Sequence, residues 1–313
     1  MLIRLCQNNF SIQDTSVGRM AFKFIFVLVI TLLASCADTE IPSYTDSTLY
    51  VFGDSLSDVG NASIATSGLV PDKNYYNGRF TNGPNYTELL AAKFNTSIKP
   101  SRSYGSNYAF AGMKSVAISA QVFNYEENVT NANPDAIYIV WSGGNDLLEL
   151  LQNPQTDLTI AETISHIRNA VFNLSSMGAV NILVPNQIDM SLLPRISDLA
   201  INDASITALS ATLSSQFNTA LTTMLDSLES EDNISTIRFD VNTLFADVIA
   251  NPNTYSLINV SDACYIKDET SIELTGEETI CPNSEEYLFW DSIHPSAVAH
   301  SIIADKMFEA LNN

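Results

Sequence analysis

Residues 48–57 read TLYVFGDSLS: a short apolar run ends at Gly53 and is followed at once by Asp54 and Ser55. A run of this length, rich in β-branched and aromatic residues, predicts a buried strand. Four later segments have the same character. The five predicted strands span residues 48–53, 106–111, 135–141, 179–184 and 234–239.

Stretches with apolar residues at helical spacing alternate with these strands. The predicted helices span residues 84–94, 116–125, 158–177, 199–228 and 295–311. Strands that are apolar throughout and alternate with helices indicate a parallel sheet covered on both faces. We therefore predict an α/β fold with three layers, α/β/α, around a central, mostly parallel five-stranded sheet. We expect one domain over residues 48–313, because no linker or charge block divides them.

The composition is strongly acidic, with 35 Asp and Glu residues against 14 Lys and Arg residues and a net charge of −21. Such a surface repels nucleic acid and anionic headgroups at long range, so we expect no nucleic-acid partner. The charge is otherwise typical of a soluble, solvated surface. The sequence makes no prediction of the oligomeric state.

The beginning of the chain has the pattern of an export signal. From Met20, a start with Lys23 precedes the apolar run 24–33, which is shorter than the roughly 20 residues of a membrane-spanning helix. Residues 33–36, Leu-Ala-Ser-Cys, resemble a bacterial lipobox, which implies lipidation of Cys36 and cleavage before it. The alternative is an ordinary secretory signal with an incidental cysteine.

These features divide the beginning of the chain into two parts. We interpret residues 1–35 as leader and signal peptide, with Met20 as the more plausible start, and residues 36–47 as a lipidated tether. Residue 37 is alanine rather than aspartate. We therefore expect an exported lipoprotein anchored in the outer membrane of a Gram-negative bacterium.

Cys264 and Cys281 are the two cysteines that remain after the leader and the lipid site. An even pair in an exported domain predicts a disulfide, and two buried free thiols are the alternative. The segment between them is acidic and lies shortly before Asp291. It is either a lid or a cleavable restraint over a cleft, or an ordinary surface loop.

Polar clusters follow the ends of predicted strands, where parallel sheets bind ligands. Ser55 on a strand-to-helix turn predicts a nucleophile beside backbone N–H groups. Gly112 can bring its N–H close to a ligand, and Asn145 presents an amide on a turn. Near the other end, Asp291 and His294 form a D-x-x-H loop that supplies both an acid and a base. Each cluster taken singly is also compatible with ordinary turn chemistry.

The other polar candidates have structural interpretations. The chain has three histidines, and we expect His166 on a helix surface and His300 packed or half-exposed in the closing helix. Asp54 is expected to brace its turn, and Trp290 to serve packing. Three dispersed histidines and two paired cysteines do not form a metal site, so no metal or cofactor is predicted.

In combination, the order G-D-S-L, N-x-A-x-x-G, G-G-N-D and D-x-x-H resembles the GDSL (SGNH) hydrolase family over residues 48–313, which has a flavodoxin-like fold. The resemblance implies Ser55 as nucleophile and His294 as base, with Asp291 as the acid of the triad. It also implies an oxyanion hole made by Ser55, Gly112 and Asn145. The segments 76–84 and 289–291 are similar to those of the larger, lipolytic members.

The resemblance leaves the substrate open. Residues 251–264 resemble bacterial phospholipases, lysophospholipases and acyltransferases of the family, which favours a phospholipid or lysophospholipid acyl ester. A carbohydrate acetyl-esterase or general short-chain carboxylesterase is the alternative, and acyl transfer in place of hydrolysis is compatible with the same residues. A non-catalytic binding lipoprotein of the envelope is a more remote possibility.

Overall fold

The structure is a computed structural model, and it describes residues 48–153, 155–267 and 278–312. The predicted leader (1–35), the predicted lipid site Cys36 and the tether (36–47) lie outside the described residues. Within the described ranges, no helix combines the length and apolar character needed to cross a membrane.

A parallel sheet lies at the centre of the fold. Its strands are β1 (Leu49–Gly53), β2 (Ile137–Trp141), β3 (Asn181–Pro185) and β4 (Ile237–Phe239), and their order in the sheet is β1-β2-β3-β4. All three neighbouring pairs are parallel. Every residue of β2 is buried, as expected for a strand covered on both faces. The prediction of a parallel sheet between two helical layers is confirmed.

The fifth predicted strand, residues 106–111, is present as an extended segment at the outer edge of β1. Val51 N–H donates to Ser106 O (3.1 Å), Tyr108 N–H to Val51 O (2.7 Å) and Phe110 N–H to Gly53 O (3.1 Å). The pairing is parallel but does not extend into a regular strand. The expected fifth position is thus occupied by a short segment that leads directly into the loop containing Gly112.

Helices cover both faces of the sheet. They are α1 (Asn61–Ala65), α2 (Tyr86–Lys93), α3 (Ile118–Glu126), α4 (Gly144–Gln152), α5 (Ile160–Ser176), α6 (Pro194–Ala200), α7 (Ser205–Glu231), α8 (Val241–Ala250) and α9 (Ala297–Leu311). Helices α2 and α9 pack together in one layer, while α3, α5 and α7 pack side by side in the other.

The sequence predicted most of these helices, but it merged two of them into one and missed three others. The range 199–228 was expected to be one helix, yet α6 ends at Ala200 and α7 begins at Ser205. Asp203 explains the break, because its carboxylate accepts from both the N–H (3.0 Å) and the hydroxyl (2.6 Å) of Ser205. Helices α1, α4 and α8 were not predicted at all.

A smaller β region lies between α8 and α9. Strands β5 (Asn259–Ala263) and β8 (Tyr287–Phe289) are parallel, and β6 (Tyr265–Lys267) is antiparallel to β7 (Glu278–Ile280). A disulfide joins Cys264 to Cys281 beside the β6–β7 pair, with Cα atoms 4.8 Å apart. Residues 268–277, on which the lid hypothesis depends, lie outside the described residues.

Candidate active site

Ser55 lies at the carboxyl end of β1, on a tight turn. The N–H groups of Ser57 (3.1 Å) and Asp58 (3.0 Å) donate to the carbonyl of Asp54, which folds the chain back directly after the strand. Glycine is required at the strand end, because a Cβ on Gly53 would lie 2.4 Å from the carbonyl oxygen of Trp141 in β2. The turn therefore presents Ser55 at the edge of the sheet, half-buried.

The D-x-x-H loop brings its two side chains onto Ser55. Nε2 of His294 lies 2.8 Å from Oγ of Ser55, and Nδ1 of His294 lies 2.7 Å from Oδ2 of Asp291. Oδ1 of Asp291 accepts the backbone N–H groups of Ile293 (2.8 Å) and His294 (2.7 Å). The spacing of three residues therefore lets one carboxylate fix both the backbone and the ring of the histidine.

Tyr75 is a member of this cluster that the sequence analysis missed. Its hydroxyl donates to Oδ2 of Asp291 at 2.6 Å. The pKa of Asp291 lies below its ordinary value: burial raises it, but the charge of His294 and the hydrogen bonds from His294 and Tyr75 lower it by more. Tyr75 directly precedes the segment 76–84 but is not part of it. No sequence pattern indicated the contact, because Tyr75 lies 216 residues from its partner.

Asn145 and Gly112 also approach this region. Asn145, near the start of α4, lines the same cavity as Ser55 and His294. Its side-chain amide donates to the carbonyl of Met113 at 3.0 Å, which places the Gly112 loop beside it. Gly112 has φ of 75°, and nothing lies within 4 Å of the position of an added Cβ. Glycine is thus required there for its backbone conformation rather than for space.

Two buried carboxylates hold the loop on either side of Gly112. Oδ2 of Asp58 accepts from the N–H of Ala111 (3.0 Å). Asp146 accepts from Ser115 through both the N–H (2.8 Å) and the hydroxyl (2.6 Å). The hydroxyl of Ser115 also lies 3.0 Å from Nδ1 of His166. His166 is therefore half-buried against this loop rather than on an open helix surface, because α5 packs against the residues that precede α3.

The remaining histidine has a structural role. His300 is buried, and its Nδ1 accepts the N–H of Tyr86 at 3.2 Å. Burial, and to a smaller extent the charge of His294, lowers the pKa of His300 to about 3, so the ring is neutral near pH 7. Trp290 is buried and stacks on Tyr265 with ring centroids 5.6 Å apart, as expected for packing. Across the described ranges, no group of three or more His, Cys, Asp or Glu side chains is placed to hold a metal ion.

Asp54 precedes Ser55 and is only 4% exposed. Its Oδ1 accepts the N–H of Leu56 at 3.1 Å, which is the bracing contact expected from the sequence. Burial raises the pKa of Asp54 to about 6, against a smaller lowering effect of that hydrogen bond and of the charge of His294. This carboxyl therefore titrates in a range where most aspartates are fully ionised.

Two cavities meet at His294. The smaller has a volume of about 60 Å³ and lies on the side of Ser55 and Asn145. Its remaining walls are mostly apolar: Leu56, Leu148, Ile188, Met190, Leu193 and Ile293. The larger is a cleft of about 1050 Å³ on the side of Asp291. It lies between α6, strands β5 and β6 and the ring of Phe80, and charged and aromatic side chains line it together.

The fold and this cluster define an α/β protein with a hydrogen-bonded Ser–His–Asp chain at the carboxyl ends of its strands. The sequence profile of the family described as GDSL-like lipase/acylhydrolase matches residues 49–307. The protein belongs to this family, so the predicted resemblance is confirmed, and with it the class of enzyme, a hydrolase of ester bonds.

Curated relatives cover nearly all of the chain. A GDSL esterase/lipase of Arabidopsis thaliana is 27% identical, over 91% of each chain. Phosphatidylcholine-sterol acyltransferase of Aeromonas hydrophila is 24% identical, over 90% of this chain and 94% of that protein. Lipase 1 of Photorhabdus luminescens is 24% identical over 94% of this chain, which spans 54% of that longer protein. Among solved structures, the acetylxylan esterase Axe2 of Geobacillus stearothermophilus is similar, with 16% identity, a TM-score of 0.48 and coverage of 86% and 97%.

Proposed function

We propose that this protein hydrolyses carboxylic esters with Ser55 as nucleophile, His294 as general base and acid, and Asp291 as the group that orients His294. The observation that carries the proposal is the unbroken chain of hydrogen bonds from Ser55 Oγ through the imidazole to Asp291, at 2.8 and 2.7 Å. A serine hydroxyl is a weak nucleophile until a base in contact accepts its proton. The geometry supports that transfer without any movement of the chain.

The reaction proceeds in two halves. Oγ of Ser55 attacks the ester carbonyl while Nε2 of His294 takes the hydroxyl proton, and a tetrahedral oxyanion forms. Collapse of this intermediate breaks the bond to the alcohol, which leaves with the proton held by His294. Water then attacks the acyl-enzyme by the same steps, and release of the acid restores Ser55. Asp291 stabilises the imidazolium in both halves.

The N–H groups of Ser55 and Gly112 and the side-chain amide of Asn145 form the proposed oxyanion hole. An amide nitrogen carries two hydrogens. One from Asn145 is used on the carbonyl of Met113, so the second remains for the substrate oxygen. Loss of one such donor typically reduces turnover by about 100- to 1000-fold.

We propose a lipid acyl ester, of a phospholipid or lysophospholipid, as the substrate. The apolar walls of the cavity beside Ser55 suit an acyl chain. The relatives from Aeromonas and Photorhabdus carry names that refer to lipids. Lipidation of Cys36 and export to the outer membrane, which we also propose, would hold the enzyme at its substrate.

The size of that cavity favours a second candidate, a short-chain esterase. A volume of about 60 Å³ holds only a small acyl group unless the cavity opens. The much larger cleft on the other side of His294 would then receive a bulky alcohol, such as a carbohydrate. The two candidates differ in acyl length and not in mechanism.

The active serine is tested first. We expect a fluorophosphonate probe to label the wild-type protein and Ser230→Ala, whose serine lies exposed on α7, but not Ser55→Ala. Ester hydrolysis should disappear with the label. Labelling of Ser55→Ala at the wild-type level would refute the proposed nucleophile.

The substrate is tested with a panel of lysophosphatidylcholine, diacyl phospholipid, short p-nitrophenyl esters and acetylated xylan. The lipolytic proposal expects the highest kcat/KM on the two lipids. Hydrolysis confined to acetyl esters would establish the second candidate in its place.

The anchor is tested with a radiolabelled fatty acid fed to expressing cells. Label should enter the wild-type protein and Cys6→Ala, because Cys6 precedes the expected start at Met20, and should vanish in Cys36→Ala. Unchanged incorporation in Cys36→Ala would refute lipidation at that residue.

A further inference from the structure

Two hydrogen atoms are directed at one oxygen of Asp291. Oδ2 lies 2.7 Å from Nδ1 of His294 and 2.6 Å from the hydroxyl of Tyr75. We propose that Tyr75 is a positioning residue of the active site, which holds the Asp291 carboxylate so that Oδ2 faces the imidazole of His294. This inference rests on the proposed function, since it concerns the same triad.

The contacts of Asp291 show what the hydroxyl contributes. Oδ1 is held by the backbone N–H groups of Ile293 and His294, both within the same loop. Oδ2 is held by the imidazole itself and by Tyr75. Tyr75 is thus the contact in this set that comes from outside the D-x-x-H loop. A carboxylate fixed only from its own loop would move with that loop, whereas the hydroxyl ties it to a distant part of the chain.

Tyr75 is itself held in place independently of Asp291. Its ring packs edge-to-face against Tyr265 (centroids 5.5 Å apart) and Trp290 (6.4 Å), and it lies 5.9 Å from the ring of Phe80. Its N–H donates to the carbonyl of Asp72 at 3.2 Å. Aromatic pairs of this geometry restrict the ring, so the direction of the hydroxyl is set before a substrate binds.

The hydroxyl also affects the charge of the triad. Burial and the neighbouring Asp291 carboxylate raise the pKa of Tyr75 far above its ordinary value, so it remains a donor at every working pH. Donation to an ionised carboxylate disperses its negative charge. Without the hydroxyl, more of the carboxylate's charge acts on His294 and favours its imidazolium form. A higher pH is then needed before His294 can accept the proton of Ser55. The acid limb of the rate profile should therefore move to higher pH.

Other titratable groups face this cluster and are unchanged by the loss of one hydroxyl. Asp54 and His300 interact electrostatically with His294. Asp72 and Tyr265 interact with Tyr75. A comparison of two proteins that differ only in the hydroxyl therefore cancels their contributions to the pH profile.

The test replaces Tyr75 with phenylalanine, which keeps the ring and its packing. Activity is expressed per active site by titration with the fluorophosphonate probe, so that any unfolded fraction is not counted. We expect kcat on a short p-nitrophenyl ester to fall about 10-fold, KM to stay within about twofold, and the acid limb to rise by about half a pH unit. The matched control is Tyr255→Phe, which removes a hydroxyl that donates to the exposed carboxylate of Asp247. Its profile should equal the wild type.

A double-mutant cycle with Asp291→Asn separates positioning from general structure. If the hydroxyl acts through the carboxylate, Tyr75→Phe should cause no further loss in the Asp291→Asn protein. An unchanged kcat in Tyr75→Phe, or the same loss at every pH and in both backgrounds, would overturn the inference. Those results would leave the proposed function standing, because it fails only if Ser55→Ala keeps the label and the activity.

Discussion

Replacement of Asp54 by asparagine should stabilise the protein, and more so as the pH rises. The carboxyl is buried beside Ser55, the proposed nucleophile, and its pKa is raised from 3.8 to about 6. A raised pKa in the folded state means that folding favours the protonated acid. The contribution of this group to the free energy of unfolding is therefore fully present below pH 3.8 and is lost as the pH rises through about 6. Asparagine has no proton to lose, and its oxygen can still accept the N–H of Leu56.

The magnitude follows from the pKa values. A difference of about two pKa units corresponds to a cost of about 3 kcal/mol for the ionised acid well above pH 6. At pH 5 the folded protein keeps most of its Asp54 protonated, and the same relation gives a cost of about 1.6 kcal/mol. The difference in the free energy of unfolding between Asp54→Asn and the wild type should therefore increase by about 1.4 kcal/mol from pH 5 to pH 8.

Urea unfolding at several values between pH 5 and pH 8 measures this difference directly. Asp203→Asn is the control, because Asp203 is an exposed acid whose pKa lies below its ordinary value owing to hydrogen bonds from Ser205. Asp203 is ionised in both the folded and the unfolded chain over that range, so its difference from the wild type should not depend on pH. A flat difference for Asp54→Asn, or one that grows toward acid pH, would refute the assignment of a raised pKa.

Three further changes test the structure around the site. Gly143→Ala should lower the free energy of unfolding by about 1–3 kcal/mol, because φ is 116° there and the new Cβ would lie 2.6 Å from the ring of Phe217; unchanged urea unfolding would contradict this. Asp146→Asn should reduce kcat/KM up to about 100-fold by loosening its two contacts with Ser115, and a rate equal to the wild type would show that the Gly112 loop is held without them. Leu148→Ala should raise kcat/KM for octanoyl over acetyl p-nitrophenyl esters by enlarging the cavity beside Ser55, and an unchanged ratio would place the acyl group elsewhere.

The sequence predicted the sheet well because its strands carry the signal themselves. The run at 135–141 is apolar at nearly every position, and β2 is buried at every position from Ile137 to Trp141. The prediction of the helices was less complete, because α4 begins with glycine and follows another glycine, a pattern that we interpreted as a turn. The β5–β8 and β6–β7 pairs are short and partly exposed, so their sequences lack the apolar runs on which the strand predictions depended.

In the candidate site, too, the local contacts could be predicted from the sequence and the contacts between distant residues could not. Asp291 and His294 could be predicted together because their contact is local, three residues apart. The contacts of Tyr75 with Asp291 and of Ser115 with Asp146 connect residues 216 and 31 positions apart, in segments that share no sequence pattern. Such contacts depend on how these segments pack, and a single sequence holds no direct record of that packing.

The loop of Gly112 shows how the fold can hold a backbone N–H group in place without burying it. Gly112 is exposed, with open space where a side chain would be, so packing around the residue itself cannot fix its N–H. The neighbours are held instead: Ala111 by Asp58, Met113 by Asn145 and Ser115 by Asp146. Because Asp58 is close to Ser55 in the chain and Asn145 lines the Ser55 cavity, the groups that hold the loop come from the elements that present Ser55 and Asn145. Because the loop is bonded to both elements, a shift of one relative to the other would break hydrogen bonds on one side, and this favours a single relative position of the proposed oxyanion donors.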